Sequence, residues 1–214
     1  MSPFIINYIL ICILYYLIGS IPTAYLIVRF KNIDITKAGT GNVGALNSYE
    51  VTKSKKIGIL VFVLDFLKGF IPSLLIAKVF VLPLSLSMIP LAMLILGHNF
   101  SIWLKFKGGR GLSVGVGIYL VVNFWIIIIW CVLYLLSYFV KRSIHIGNVA
   151  ATLLTPLLLI FFSGFFVRFN YDYGIYNTDI SYNFNLLFTF CAVLSILVLI
   201  KHIKPIVELI RKSN

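Results

Sequence analysis

The chain has 214 residues, 61% of them hydrophobic and only 11% charged. Soluble domains carry about 25% charged residues, so this composition excludes a soluble globular domain and indicates one integral membrane domain spanning residues 1–214. The 18 basic against 6 acidic residues leave a net charge of +12, which in such a chain speaks of orientation and anionic lipid and not of nucleic acid.

Taken in order, apolar runs lie at roughly 4–28, 57–82, 84–104, 111–140, 146–166 and 184–200. The first has no basic segment before it and no small-residue cleavage site after it, so it is predicted as a retained span and not a signal peptide. Cys12, Cys131 and Cys191 all sit in apolar runs. They are expected as buried thiols and not as a disulfide framework. The run 111–140 is long for one span and carries Asn123 near its middle. Split there, it gives helices over 111–122 and 124–140 and a total of seven spans; unsplit, it gives six.

Basic residues decide between the two. With seven spans and the N-terminus outside, 15 of the 18 Lys and Arg fall on the cytoplasmic side. They cluster in four segments, at 29–56, 105–110, 141–142 and 201–212. Cytoplasmic loops hold the Lys/Arg excess, so an all-α polytopic bundle of about seven transmembrane helices is predicted. Its outer loop is 168–183.

Two cytoplasmic loops are built to hold anions. In "LKFKGGRG", Lys105, Lys107 and Arg110 flank the Gly108–Gly109 pair and lead into a helix. Paired glycines let successive N–H groups face one ligand, and a helix N-terminus adds partial positive charge. The alternative is a basic anchor touching lipid headgroups. In "AGTGNVGALN", Gly39, Gly41 and Gly44 expose backbone donors, while Thr40, Asn42 and Asn47 add side-chain ones. The alternative there is a plain connecting loop. Neither segment is a P-loop, because GxxxxGK[ST] is absent. Asp65 and Lys68 share a helix face inside an apolar run. An ion pair that orders the bundle is the expected role, since a charge at that depth faces other helices. His98 and His202, at span ends, are candidate bases or anion ligands. HExxH, a Cys/His metal set and GxSxG are all missing, so neither metal nor serine-hydrolase chemistry is expected.

The ordered strings "GSIPTAYL", "GTGN", "DFLKG", "GHNF" and "LKFKGGRG", with a histidine after the last span, resemble the bacterial acyl-phosphate-dependent glycerol-3-phosphate acyltransferases. The HxxxxD pattern of other glycerolipid acyltransferases is absent. The resemblance implies a seven-helix enzyme of the bacterial cell membrane with its site on the cytoplasmic face. It implies acyl transfer from acyl-phosphate to sn-glycerol-3-phosphate, giving lysophosphatidic acid, without metal or cofactor. It also implies a soluble phosphate acyltransferase as the supplier of acyl-phosphate. Gly97, His98, Phe100, Lys105, Lys107, Gly108, Gly109, Arg110 and Gly111 match the part that the family uses for glycerol-3-phosphate.

Several positions depart from the family pattern. Thr40 stands for a serine, Glu50 for an arginine, Ser101 for a proline and Pro205 for an asparagine. His145, Gly147 and Asn148 replace the usual serines of the 141–148 link. The expectation is that Glu50 turns away to pair with Lys53 or Lys37, and that Arg142 or His145 meets the substrate in its place. The expected reaction-side residues are therefore Thr40, Asn42, His98, Arg142, His145 and His202. Two other readings are a divergent paralogue with another acceptor or without turnover, and a small transporter. Transport would need ionisable residues along a midplane path, and only Asp65, Lys68 and Lys78 lie in spans.

Overall fold

The computed structural model describes residues 2–162 and 180–213. The expected outer loop thus lies, up to residue 179, outside the described residues. In chain order the elements are α1 Pro3–Ser20, α2 Thr23–Arg29, α3 Ala45–Thr52, α4 Lys55–Lys78, α5 Leu84–Asn99, a 3-10 turn Ile102–Leu104, α6 Leu112–Val122, α7 Phe124–Lys141, α8 Ile144–Phe161, α9 Ile180–Ile200 and α10 Ile203–Ser213. No strand occurs among the described residues; only an isolated bridge joins Ser101 and Lys107.

Four helical stretches are long and apolar enough to cross a membrane: Pro3–Arg29, Lys55–Lys78, Phe124–Lys141 and Ile144–Phe161. Leu84–Asn99, Leu112–Val122 and Phe184–Ile200 are apolar but shorter. The break at Asn123 falls where the sequence places it. Its backbone is extended (φ −164°, ψ 101°), and its side chain accepts a hydrogen bond from the Trp125 N–H, which starts α7. The first apolar run is a candidate span divided into α1 and α2, because Pro22 has no N–H to continue the ladder and α1 stops at Ser20. One expectation needs correction: the 141–148 link is not a loop. Ser143 caps α8 by accepting from the Ile146 N–H, so His145, Gly147 and Asn148 belong to the first turns of that helix.

Between membrane helices there is no hydrophobic drive to associate, so close backbone contact does the work. Glycines on facing helices provide it reciprocally. A Cβ on Gly19 of α1 would overlap the Leu94 carbonyl of α5, and one on Gly97 of α5 would overlap the Tyr16 carbonyl of α1. The pair α4–α6 repeats this pattern: Gly69 meets the Val114 carbonyl, and Gly117 meets the Phe66 carbonyl. Large apolar side chains such as Leu10, Ile59, Leu136 and Phe139 remain on the outer surface, as a lipid-facing bundle requires.

Substituting Gly117 by leucine forces α4 and α6 apart. The expected cost is about 1–3 kcal/mol, read as a lowered Tm in detergent. Gly115→Ala is the control, because its Cβ would meet only Ile95 Cδ1 at 3.9 Å. It should leave Tm unchanged.

Candidate functional site

The site is organised by a buried polar knot at the α1–α2 break. Lys68 Nζ donates to the Ile21 carbonyl at 2.5 Å, to Thr23 Oγ1 at 3.0 Å and to Asp65 Oδ1 at 2.7 Å. Thr23 Oγ1 donates to the same carboxylate oxygen. Asp65 is 1% exposed and Lys68 8%, so each charge needs the other. His98 Nδ1 lies 3.8 Å from Asp65 Oδ1, an electrostatic contact longer than a hydrogen bond.

Above the knot the two Gly-rich loops lock together. In the first, Gly39 and Gly41 take positive φ of 58° and 71°. Asn47 is the clasp of this loop. Its Oδ1 accepts from the Thr40 N–H at 3.0 Å, and its Nδ2 donates to the carbonyls of Ala38 at 3.1 Å and Asn42 at 2.9 Å. With its amide committed to the loop, Asn47 shapes the loop and has no donor left to offer outside it. In the second loop, Ser101 Oγ donates to the Ser20 carbonyl, the Gly109 N–H donates to the His98 carbonyl at 3.0 Å, and the Val43 N–H reaches the Gly108 carbonyl at 3.4 Å.

This geometry changes the reason for the Gly108–Gly109 pair. A Cβ on Gly108 would overlap the His98 and Asn99 carbonyls, and one on Gly109 would strike the His98 ring. The glycines admit the His98 turn, and the Gly109 N–H is already taken. Of the pair, Gly109 is therefore not the open donor expected from the sequence, while Gly108 lines the cleft described next.

Two voids meet at this junction. A cleft of about 800 Å³ is lined by Gly39, Thr40, Gly41 and Asn42 from the first loop and by Lys107, Gly108 and Arg110 from the second. His145 on α8 and Lys201, Lys204 and Glu208 around α10 complete it, with Lys37 at its edge. Five cations thus face one acid. The second void, about 310 Å³, is lined mainly by apolar groups from α4 to α9, among them Phe62, Ile95, Tyr119, Ile126, Trp130 and Leu194. Gly44, Asp65 and His98 also border it. Asn42 and Arg110 line both voids and so form the threshold between them.

Arg110 Nη1 lies 3.1 Å from His145 Nδ1. Guanidinium can only donate, so His145 accepts at Nδ1 and carries its proton on Nε2. Burial lowers the Arg110 pKa, while Glu50 and Glu208 oppose that shift. Burial likewise lowers Lys201, with Arg110 adding to the effect. His202 is 1% exposed and lines neither void. Burial pushes its pKa down to about 4, against the Val198 carbonyl and helped by Arg110 and His145. It is a neutral imidazole fastened by Nδ1 to that carbonyl at 2.9 Å.

Three sequence-derived placements differ from the structure. Arg142 caps α7 in the left-handed region (φ 49°), lies over the Phe139 ring at 5.5 Å, and borders neither void. Lys105 also takes a left-handed conformation and borders neither. Glu50 does not make the expected pairs. Among the described residues no ion pair joins it to Lys53 or Lys37; Lys37 pairs with Asp34 at 3.8 Å. The Glu50 carboxylate acts instead on Arg110 and His145.

The sequence reading also missed groups. Lys201 and Lys204 were read only as topology signals and Lys37 besides only as a partner for Glu50, yet all three line the cleft. Asn148, Thr152 and Thr155 line the apolar void. With His145 they recur at i, i+3, i+7 and i+10 along α8, a polar stripe at helical spacing that the string "HIGNVAATLLT" carries openly.

A profile of the family described as glycerol-3-phosphate acyltransferase matches residues 9–212. The chain is 31% identical over 209 residues to the glycerol-3-phosphate acyltransferase of Ehrlichia canis (strain Jake), covering 97% of each chain. It is 33% identical over 203 residues to that of Wolbachia sp. subsp. Brugia malayi (strain TRS), covering 94% of each. Crystal structures of PlsY (YgiH), an integral membrane glycerol 3-phosphate acyltransferase, align over 96% of this chain and 93% of theirs at 28% identity. The TM-score is 0.77 for the glycerol 3-phosphate form and 0.76 for the lysophosphatidic acid form.

Asn47→Ala removes the clasp and leaves the Thr40 N–H and two carbonyls without it. A loss of about 1–3 kcal/mol in local stability is expected. Amide exchange at Thr40 should accelerate roughly tenfold or more. Unchanged exchange would mean that the loop holds its shape without Asn47.

Proposed function

Because the chain belongs to the glycerol-3-phosphate acyltransferase family, we propose that it moves a fatty acyl group from acyl-phosphate to sn-glycerol-3-phosphate, releasing lysophosphatidic acid and inorganic phosphate. The chain is an integral membrane acyltransferase; the acyl donor, the product and the residue roles are our reading. One observation carries it: a cation-rich cleft and an apolar void share Asn42 and Arg110 at their junction. Both substrates bear a phosphate, and one also bears a hydrocarbon chain. A site for them needs two environments in contact, and the bond to be exchanged lies between them.

In this reading Lys107, Arg110, Lys201 and Lys204 balance the phosphate charges. Thr40 and Asn42 supply neutral donors, and Gly39 and Gly41 let the backbone come close. His145, fixed by Arg110 with its proton on Nε2, donates to a phosphate oxygen as a neutral group. Glu50 and Glu208 offset the effect of burial on Arg110. His98 borders the apolar void from the knot, and His202 braces the α9–α10 turn. The acyl-phosphate is already activated, so holding the glycerol hydroxyl against its carbonyl carbon supplies most of the acceleration. The hydroxyl oxygen bonds to that carbon, the bond to phosphate breaks, and the hydroxyl proton leaves with the phosphate. No covalent enzyme intermediate, metal or cofactor enters the scheme.

We place the chain in the bacterial cell membrane as a single domain of seven spans, with the N-terminus outside and the cleft facing the cytoplasm. The 15-of-18 basic distribution supports this orientation. The cleft would then face a soluble phosphate acyltransferase that makes acyl-phosphate. A cysteine introduced at position 176 of a chain lacking its native cysteines should react with an impermeant reagent in intact cells, and one at position 107 should not. Labelling at 107 would reverse the topology.

Purified protein given acyl-phosphate and glycerol-3-phosphate should form lysophosphatidic acid, and acyl-CoA should not replace the donor. Arg110→Ala should lower kcat/KM by on the order of a hundredfold or more, about 3 kcal/mol. Equal turnover of acyl-CoA would refute the proposed donor.

A further inference from the structure

Asn148 has a place in the apolar void that packing alone does not explain. It is 7% exposed and lines that void. Among the described residues its amide has no hydrogen-bond partner. Its polar neighbours along α8 are engaged: Thr152 Oγ1 accepts from Trp130 Nε1 at 3.0 Å, and Thr155 Oγ1 donates to the Ala151 carbonyl at 2.7 Å. Thr155 has therefore spent its proton, and Thr152 is tied to Trp130, while Asn148 presents a whole amide. A buried amide left without a partner is costly, so this position asks for an acceptor that arrives with a ligand.

The stripe on α8 indicates which atom. His145 lines the polar cleft and Asn148, Thr152 and Thr155 line the apolar void. At 1.5 Å per residue, Asn148 stands about 4.5 Å beyond His145, and Thr155 about 10 Å beyond Asn148. An acyl-phosphate laid along this line puts its phosphate beside His145 and its hydrocarbon beside Thr152 and Thr155. The group between them is the carbonyl.

We propose that Asn148 is a catalytic residue whose side-chain NH₂ donates to the carbonyl oxygen of acyl-phosphate and stabilises the oxyanion formed there. The assignment rests on the acyl-phosphate reading above. As the glycerol hydroxyl oxygen adds to the carbonyl carbon, the C=O electron pair moves onto oxygen, beside Asn148. Its return breaks the bond between the acyl carbon and the phosphate oxygen, and the hydroxyl proton leaves on phosphate. A donor in a water-poor cavity, with no other partner to give up, is effective as charge appears beside it.

The test uses two non-reactive ligands and the purified full chain in detergent. A long-chain β-ketophosphonate keeps the carbonyl and replaces the bridging oxygen by CH₂; an alkylphosphonate of equal length lacks the carbonyl. Wild type should bind the ketophosphonate about tenfold more tightly. Asn148→Leu, similar in volume, should lose that preference while its Kd for the alkylphosphonate stays unchanged. Asn148→Ser, which retains a donor, should recover part of it. In turnover, Asn148→Leu should lower kcat by on the order of a hundredfold with KM for glycerol-3-phosphate unaltered. A preference that survives in Asn148→Leu, equal weakening of both ligands, or a wild type without preference would each overturn the proposal. A wild type that binds neither ligand and does not consume acyl-phosphate would instead remove the donor reading beneath it.

Discussion

The Ser20 carbonyl has lost its place in a helix, in a region where hydrocarbon offers it no water. The break at Ile21–Pro22 would cost several kcal/mol if its polar groups went unmet. Ser101 Oγ answers the Ser20 carbonyl, and Lys68 Nζ reaches the Ile21 carbonyl. Lys68 can remain charged there because Asp65 stands 2.7 Å away. One interruption therefore binds α1, α2, α4 and the second Gly-rich loop into one unit. The Gly19–Gly97 contact draws in α5, and with it the His98 turn on which Gly108 and Gly109 pack. The two loops meet beside this knot, where the Val43 N–H reaches the Gly108 carbonyl at 3.4 Å.

The electrostatics of the cleft follow from that placement. Lys37, Lys107, Arg110, Lys201 and Lys204 converge from three separate parts of the chain. Their mutual repulsion is relieved by Glu208 within the cleft and by Glu50, which acts on Arg110 from α3. The acid at position 50 offsets part of the effect of burial on Arg110, and Arg110 in turn fixes the tautomer of His145. A bound dianion would complete the balance, since the cleft has more positive than negative groups.

Much of this is legible before folding because the signals are local. Asn123 cannot sit quietly inside thirty apolar residues, so the helix boundary is readable there. Asp65 and Lys68, three apart, announce a shared buried face. What the sequence hides is direction. Glycine marks a close approach but not the object approached, which for Gly108 and Gly109 is the His98 turn. Arg142 and Lys105 look as available as Arg110, and only their left-handed backbone sends them elsewhere. Glu50 appears misplaced until its electrostatic effect on Arg110 is seen. The α8 stripe at 145, 148, 152 and 155 was readable, but it crosses what looked like a loop boundary.

The central claim is that the hydrocarbon chain of the donor occupies the apolar void while its phosphate occupies the cleft, with Asn42 and Arg110 between them. Photolabelling with a long-chain β-ketophosphonate carrying a diazirine at the chain end tests this most directly. Labelled peptides should map to Tyr119, Ile126 and Trp130, inside the void, and excess glycerol-3-phosphate should leave the pattern unchanged. Labelling confined to outward-facing residues such as Leu136 and Phe139 would place the chain in the bilayer and contradict the account.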